Sequence, residues 1–142
     1  MLARSLVAAS AAIMLALGTL HLVLTFAGRA LLPREPAVRA AMESTHLVLS
    51  AQTTVWKAWI GFNASHSLAA ILFGLVFGYF ALAQPDVLFR SPYLQVLGAA
   101  VLVAFVVLAR LYWFSVPLIG VGLALACFVA GTVAARLASA VP

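Results

Sequence analysis

Four long apolar stretches constrain this chain more than any other feature of its sequence. They run from about residue 6 to 27, 58 to 83, 93 to 114 and 117 to 138. A helix of about 20 apolar residues spans the roughly 30 Å hydrocarbon core of a bilayer, and the stretches lack the alternation of barrel strands. We therefore predict an all-α integral membrane four-helix bundle, with residues 1–142 as a single transmembrane domain.

The composition and charge favour the same class of protein. Of the 142 residues, 66% are hydrophobic and 8% are charged, whereas soluble domains carry about 25% charged residues. The net charge of +5 comes from basic residues scattered between the apolar stretches, which is typical of membrane-flanking charges and not of a nucleic-acid-binding patch. We expect membrane lipids as partners and no nucleic acid. Because the first stretch exceeds the core of a signal peptide, about 7–15 residues, we expect it to remain as a span.

Aromatic residues mark both ends of the third stretch, as in many membrane-spanning helices. Tyr93 stands at its start, and Tyr112 and Trp113 stand at its end, with Arg110 close enough to extend to the same interface. No polar side chain lies between residues 97 and 109, so we expect this helix to face lipid. The predicted membrane-interface residues are Trp56, Lys57, Trp59, Tyr93, Arg110, Tyr112 and Trp113.

The long connection between the first two stretches predicts an amphipathic helix. Arg39, Glu43, His46 and Ser50 recur at spacings of 4, 3 and 4, which places them on one face of a helix. We expect an interfacial helix over about residues 36–50. The same polar spacing continues toward the second stretch, so the pattern leaves open whether the two helices are continuous.

The distribution of basic residues indicates an orientation. Five lie on the side of the connection formed by residues 28–57, and three lie on the side of the termini. Because cytoplasmic loops carry the excess of Lys and Arg, this difference favours a cytoplasmic connection. We expect a multi-pass protein of the bacterial cytoplasmic membrane.

The first two stretches each carry a stripe of polar and small residues at helical spacing. On the first helix the stripe is Ser10, Met14, Gly18, His21, Thr25 and Gly28. On the second helix it is Asn63, His66, Ser67, Ala70, Gly74 and Gly78. Small residues at this spacing let two helices approach closely. We therefore expect these helices to be neighbours, with Gly18, Ala70, Gly74 and Gly78 as packing residues.

The two stripes place two histidines at a similar depth. His21 lies seven residues before Gly28, and His66 lies nine residues after Lys57. At 1.5 Å per residue both lie about 10–14 Å below one interface. With Glu43 and His46 covering them from the interfacial helix, the candidate ligand-binding or cofactor-binding residues are His21, Thr25, Asn63, His66, Ser67, Glu43 and His46.

Three functions fit such a cluster. Its side chains could simply hydrogen-bond one helix to another, or form a ligand pocket, because ionisable residues inside membranes are functional candidates. In a third interpretation His66 is a catalytic acid or base, with Asn63 orienting it and Glu43 assisting.

We predict a non-catalytic protein that packs as an accessory subunit of a membrane complex or homo-oligomer, or binds a lipid, quinone or haem. The alternative is a small membrane enzyme acting on a lipid or another apolar substrate. The spacing of Glu43 and His46 occurs in one copy and does not predict a metal site.

One resemblance accompanies these residues. The run WKAWIGFNASHS, with GTLHL in the first stretch and AAMESTHL in the connection, resembles a group of small uncharacterised bacterial four-span membrane proteins with a GFN-x-SHS signature. It implies the four-span architecture over most of the chain and implies no activity. The chain is also similar, at the level of fold, to DoxX-like four-helix proteins, and a shared fold does not imply a shared function.

Overall fold

The computed structural model describes residues 1–140, and these residues are mainly helical. Their helices are α1 (Leu2–Ala27), α2 (Pro36–Ser44), α3 (Val55–Ala83), α4 (Pro85–Arg90), α5 (Pro92–Tyr112) and α6 (Ser115–Ala140), and their strands are β1 (His46–Leu47) and β2 (Ser50–Thr54). Within the described part of the chain, α1, α3, α5 and α6 are the four helices long and apolar enough to cross a membrane. The predicted all-α class is confirmed, and the chain is a multi-pass membrane protein.

The chain divides into two compact units. Unit 1 consists of residues 1–17 and the described residues from 70 onward, and unit 2 consists of residues 18–69. The helices α1 and α3 each contribute residues to both units. Unit 1 therefore contains segments of all four long helices, whereas unit 2 contains the connection between α1 and α3.

Aromatic side chains fill the interior of unit 1. The rings of Phe73 and Phe77 stack with centroids 4.5 Å apart, and Phe128 of α6 meets Phe77 edge to face at 5.2 Å. Gly98 of α5 lies beneath these rings, where a Cβ atom would overlap the ring of Phe128. The absence of a side chain at Gly98 thus makes room for the aromatic core.

Much of the apolar surface of α5 is exposed, including Val96, Val103 and Val107, but the sequence did not indicate which face is covered. One of its faces is buried in unit 1, and the buried residues are Gln95, Gly98, Leu102, Phe105 and Ala109. Their spacing of three or four residues defines an inward stripe. A helix that is apolar all round has no polar stripe to mark the face that packs against other helices. The positions of the neighbouring helices therefore determine which face is covered.

Close contact between α1 and α3 in unit 1 occurs at Gly74. A Cβ atom there would lie 2.7 Å from the carbonyl oxygen of Ala11, whereas one at Gly78 would lie 3.6 Å from the Cβ of Ala11, an ordinary contact. Ala70 is buried on the same stripe of α3, and Gly18 is buried in unit 2. Gly74 is therefore the position on this stripe where a larger residue would force the helices apart.

The short helix α4, which was not predicted from the sequence, is held by the buried side chain of Gln95. Its Nε2 donates to the carbonyl oxygens of Phe89 at 2.8 Å and Leu88 at 3.3 Å. Its Oε1 accepts from Nε of Arg136 at 3.2 Å. Both the nitrogen and the oxygen of the buried amide are thus hydrogen-bonded, and the side chain connects α4, α5 and α6 within unit 1.

The connection in unit 2 differs from the long interfacial helix predicted over residues 36–50. A helix is present, but α2 ends at Ser44, and an antiparallel hairpin follows in which His46 pairs with Thr54 and Leu47 with Ser50. Aliphatic and β-branched residues in this segment favour strands, and cross-strand hydrogen bonds replace those of a longer helix. Consequently α3 begins at Val55 and does not continue from α2.

Several predicted membrane-interface residues lie at the ends of α5. Tyr93 and Tyr112 are 71% and 75% exposed, at opposite ends of the helix. Arg110 is exposed in the last turn, and Trp113 packs edge to face against Phe105 with ring centroids 6.2 Å apart. The aromatic side chains thus flank a helix whose middle is apolar.

Candidate functional site: a histidine–asparagine cluster

Within unit 2, His21 of α1 is hydrogen-bonded to Asn63 of α3. Nε2 of His21 lies 3.0 Å from Oδ1 of Asn63, and Nδ2 of Asn63 donates to the carbonyl oxygen of Trp59 at 2.8 Å. The second bond fixes the orientation of the amide, because only its nitrogen can donate to a carbonyl. Oδ1 of Asn63 must then accept, and Nε2 of His21 carries the hydrogen that is donated.

The ring of His66 completes what we call the histidine–asparagine cluster: His21, Asn63 and His66. The two imidazole rings meet edge to face, with centroids 5.5 Å apart and an interplanar angle of 79°. Phe62 stacks on the ring of His66 at 6.4 Å. Both histidines are half-buried and Asn63 is buried, so the imidazoles retain surface that this chain does not cover.

Two buried hydroxyl groups lie in the same part of α1 and α3 but bond within their own helices. Oγ of Ser67 donates to the carbonyl oxygen of Asn63, and Oγ1 of Thr25 donates to the carbonyl oxygen of His21, each at 2.8 Å. Such bonds to the carbonyl four residues earlier satisfy hydroxyls in apolar helices. The structure therefore brings His21, and not Thr25, to the side chain of Asn63.

An apolar groove in unit 2, which sequence reasoning missed, adjoins Trp59. It has a volume of about 380 Å³ and is lined by Ala30, Leu31, Leu32, Pro33, Met42 and Trp59. Nε1 of Trp59 donates to the carbonyl oxygen of Leu31 at 3.3 Å. Because the carbonyl of the same tryptophan holds the Asn63 amide, Trp59 links the groove to the cluster. The sequence features that could have indicated this groove are the indole of Trp59 and the loop that contains Pro33, and neither predicts a groove by itself.

The structure does not bring the two candidate residues of the connection into the cluster. Glu43 forms an ion pair with Arg39 at 2.9 Å, and the guanidinium of Arg39 lies 5.1 Å from the ring centroid of Trp56. His46 and Lys57 are exposed, on β1 and α3. Over residues 1–140 no group of three His, Cys, Asp or Glu side chains is close enough to hold a metal ion.

Haem does not fit the histidine pair in this arrangement. Two axial histidines would have to hold the iron and its macrocycle between their nitrogens. Instead Nε2 of His21 is hydrogen-bonded to Asn63, and the His21 and His66 rings are in edge contact. No space for a macrocycle separates them. The polar groups of the cluster suit a ligand that accepts or donates hydrogen bonds.

Comparisons with other proteins do not identify a relative. No family model, no curated protein and no solved structure matches the chain. The resemblance to the GFN-x-SHS group therefore stays a prediction.

Proposed function

We propose that this chain is a ligand-binding membrane protein and that its site is the histidine–asparagine cluster. The ligand would be an apolar molecule with a hydrogen-bonding group, and a quinone or a lipid has this chemistry. The observation that carries the proposal is the contact of two half-buried imidazoles, 5.5 Å apart, beside an amide of fixed orientation.

The second imidazole, that of His66, contacts the rings of His21 and Phe62. The bond between His21 and Asn63 already joins α1 to α3 in unit 2, and hydrogen bonds of this type average only about 0.6 kcal/mol in membranes. A histidine inside the hydrocarbon region is costly, and such residues are functional candidates for that reason. A ligand that contacts the exposed part of His66 would add to these contacts.

The chemistry of the imidazole ring suits a polar group on the ligand. An imidazole hydrogen-bonds through its ring nitrogens, and Nε2 of His21 is already bonded to Asn63. A hydroxyl or a carbonyl group is the kind of ligand group that such rings recognise. The apolar lining of the adjoining groove suits a ring or an alkyl chain.

A non-catalytic site accounts for these contacts better than a small lipid enzyme does. The enzymatic alternative assigns Asn63 to orient His66 and Glu43 to assist it. Asn63 instead bonds to His21, and Glu43 is paired with Arg39. Both contacts favour binding without turnover.

We further propose that the protein lies in the bacterial inner membrane with the connection of residues 28–57 in the cytoplasm. Five basic residues lie on the side of this connection and three on the side of the termini, and cytoplasmic loops carry the excess of Lys and Arg. The protein's partners there would be membrane lipids and either a larger membrane complex, in which it is an accessory subunit, or further copies of the same chain.

Mass spectrometry of organic extracts tests the proposed function. The protein and its His21→Ala, His66→Ala and Ser65→Ala variants would be purified from their native membrane, and thermal unfolding would verify that each is folded. Ser65 is a suitable control because it is exposed on α3 and donates to the carbonyl of its own helix. A small molecule enriched with the parent and the control, and lost from both histidine variants, is the expected result. Equal extracts from all four proteins would contradict a ligand site.

A further inference from the structure

The side chain of Arg4 is held at the end of α3 in unit 1. Its Nη2 donates to the carbonyl oxygen of Leu82 at 2.7 Å, and its Nε lies 3.2 Å from the carbonyl oxygen of Ala81. These carbonyls belong to the last turn of α3, where a helix has no further amide groups to satisfy them. The guanidinium is therefore fixed in position before any ligand arrives.

The charge of Arg4 is only partly compensated by these contacts. The end of a helix carries roughly half a negative charge, and two bonds use two of the five N–H groups of a guanidinium. Over the described residues 1–140 the ion pair between side chains is Arg39–Glu43, so no carboxylate neutralises Arg4 there. A fixed, positively charged group with donors to spare suits a phosphate.

A groove runs beside this guanidinium along α1. It has a volume of about 520 Å³, and its lining includes Arg4, Ser5, Ala8, Ala9, Ala12 and Leu82. The short alanine side chains leave a trough that extends for about 10 Å along the helix, at 1.5 Å per residue. Its dimensions and apolar walls suit part of an acyl chain.

From the charged end and the apolar trough together, we infer that unit 1 binds an anionic phospholipid. The phosphate would accept hydrogen bonds from Arg4, and one acyl chain would lie against Ala8, Ala9 and Ala12. A lipid with net negative charge matches the uncompensated guanidinium better than a zwitterionic lipid, whose own ammonium group competes for the phosphate. This site is separate in sequence from the histidine–asparagine cluster and is independent of the proposed function.

Native mass spectrometry of the full chain tests the headgroup assignment. The protein in detergent would be mixed with equal amounts of phosphatidylglycerol and phosphatidylcholine, and the bound lipids counted. We expect about a fivefold preference for phosphatidylglycerol, the contribution of one basic residue near an anionic membrane surface. Arg4→Gln should remove the preference, whereas Arg110→Gln, at an exposed arginine of α5, should retain it. No preference in the parent chain, or an unchanged preference in Arg4→Gln, would overturn the inference.

A second pair of variants tests the acyl trough. Ala9→Phe fills the groove without changing the charge, and Ala126→Phe adds the same ring on an exposed face of α6. The first should reduce binding of phosphatidylglycerol and the second should not. Equal binding by both variants would overturn the placement of the acyl chain. Stabilisation by inorganic phosphate alone, measured as a rise in Tm equal to that with phosphatidylglycerol, would show a phosphate site and not a lipid site.

Discussion

Nε2 of His21 donates to Oδ1 of Asn63 over 3.0 Å, and this bond joins α1 to α3 within unit 2. The amide is oriented for this contact by the carbonyl of Trp59. Residues 42 positions apart in sequence thus form the centre of the candidate site. The bond has measurable consequences for stability that are separate from any ligand.

A double-mutant cycle should detect this bond. His21→Ala and Asn63→Ala should each lower the free energy of unfolding, and the double variant should lose less than the sum. We expect a coupling energy of about 0.6 kcal/mol, and at most about 1.7 kcal/mol, from reversible unfolding in mixed micelles. The pair His21→Ala with Ser65→Ala is the matched control and should be additive. Additivity in both cycles would mean that the side chains of His21 and Asn63 do not interact.

Alanine at two helical glycines should have different effects on stability. A Cβ atom at Gly74 would lie 2.7 Å from the carbonyl oxygen of Ala11, whereas one at Gly122 meets nothing within 4 Å. Gly74→Ala should therefore destabilise the protein by about 1–3 kcal/mol, the usual cost of overpacking. Gly122→Ala should be neutral or slightly stabilising, because alanine favours the helix. Equal unfolding temperatures for both variants would contradict the close approach of α1 and α3 in unit 1.

Removal of one buried hydroxyl should stabilise the protein. Ser10 is fully buried, and within residues 1–140 its Oγ has no hydrogen-bond partner. Ser10→Ala should raise the free energy of unfolding by about 1 kcal/mol, since an unsatisfied buried polar group is costly. Ser67→Ala is the control, because Ser67 is equally buried but donates to the carbonyl oxygen of Asn63. A loss of stability in Ser10→Ala larger than that in Ser67→Ala would indicate a partner for Ser10.

Cysteine labelling should locate the connection and the termini on opposite sides of the membrane. Single cysteines would replace Ala3, Val48 or Ala138 in a Cys127→Ser background. Four crossings place residues 3 and 138 on one side and residue 48 on the other. An impermeant maleimide added to intact cells should label positions 3 and 138 but not the exposed hairpin tip at Val48. Labelling of positions 3 and 138 from different sides would end the four-span topology.

The sequence was sufficient to predict the long helices and the faces of α1 and α3 that are buried. Length and hydropathy are local properties, so the four spans follow from them directly. The stripe through Ser10, Met14 and Gly18 on α1 is buried, as is the stripe through Asn63 and Ser67 on α3. The spacing of Arg39 and Glu43 also predicts a helical face, and these residues form an ion pair across one turn of α2.

Tertiary structure decided the contacts that the sequence left open. Residues 45–54 have a polar spacing that fits a helix, but cross-strand pairing between His46 and Thr54 produces a hairpin. The sequence placed both His21 and Thr25 on the polar stripe of the first helix, so either could have met Asn63. In the structure His21 bonds to Asn63, and the hydroxyl of Thr25 bonds to the carbonyl oxygen of His21. Local sequence determines which groups need partners, whereas the positions of the helices determine which partner is within reach.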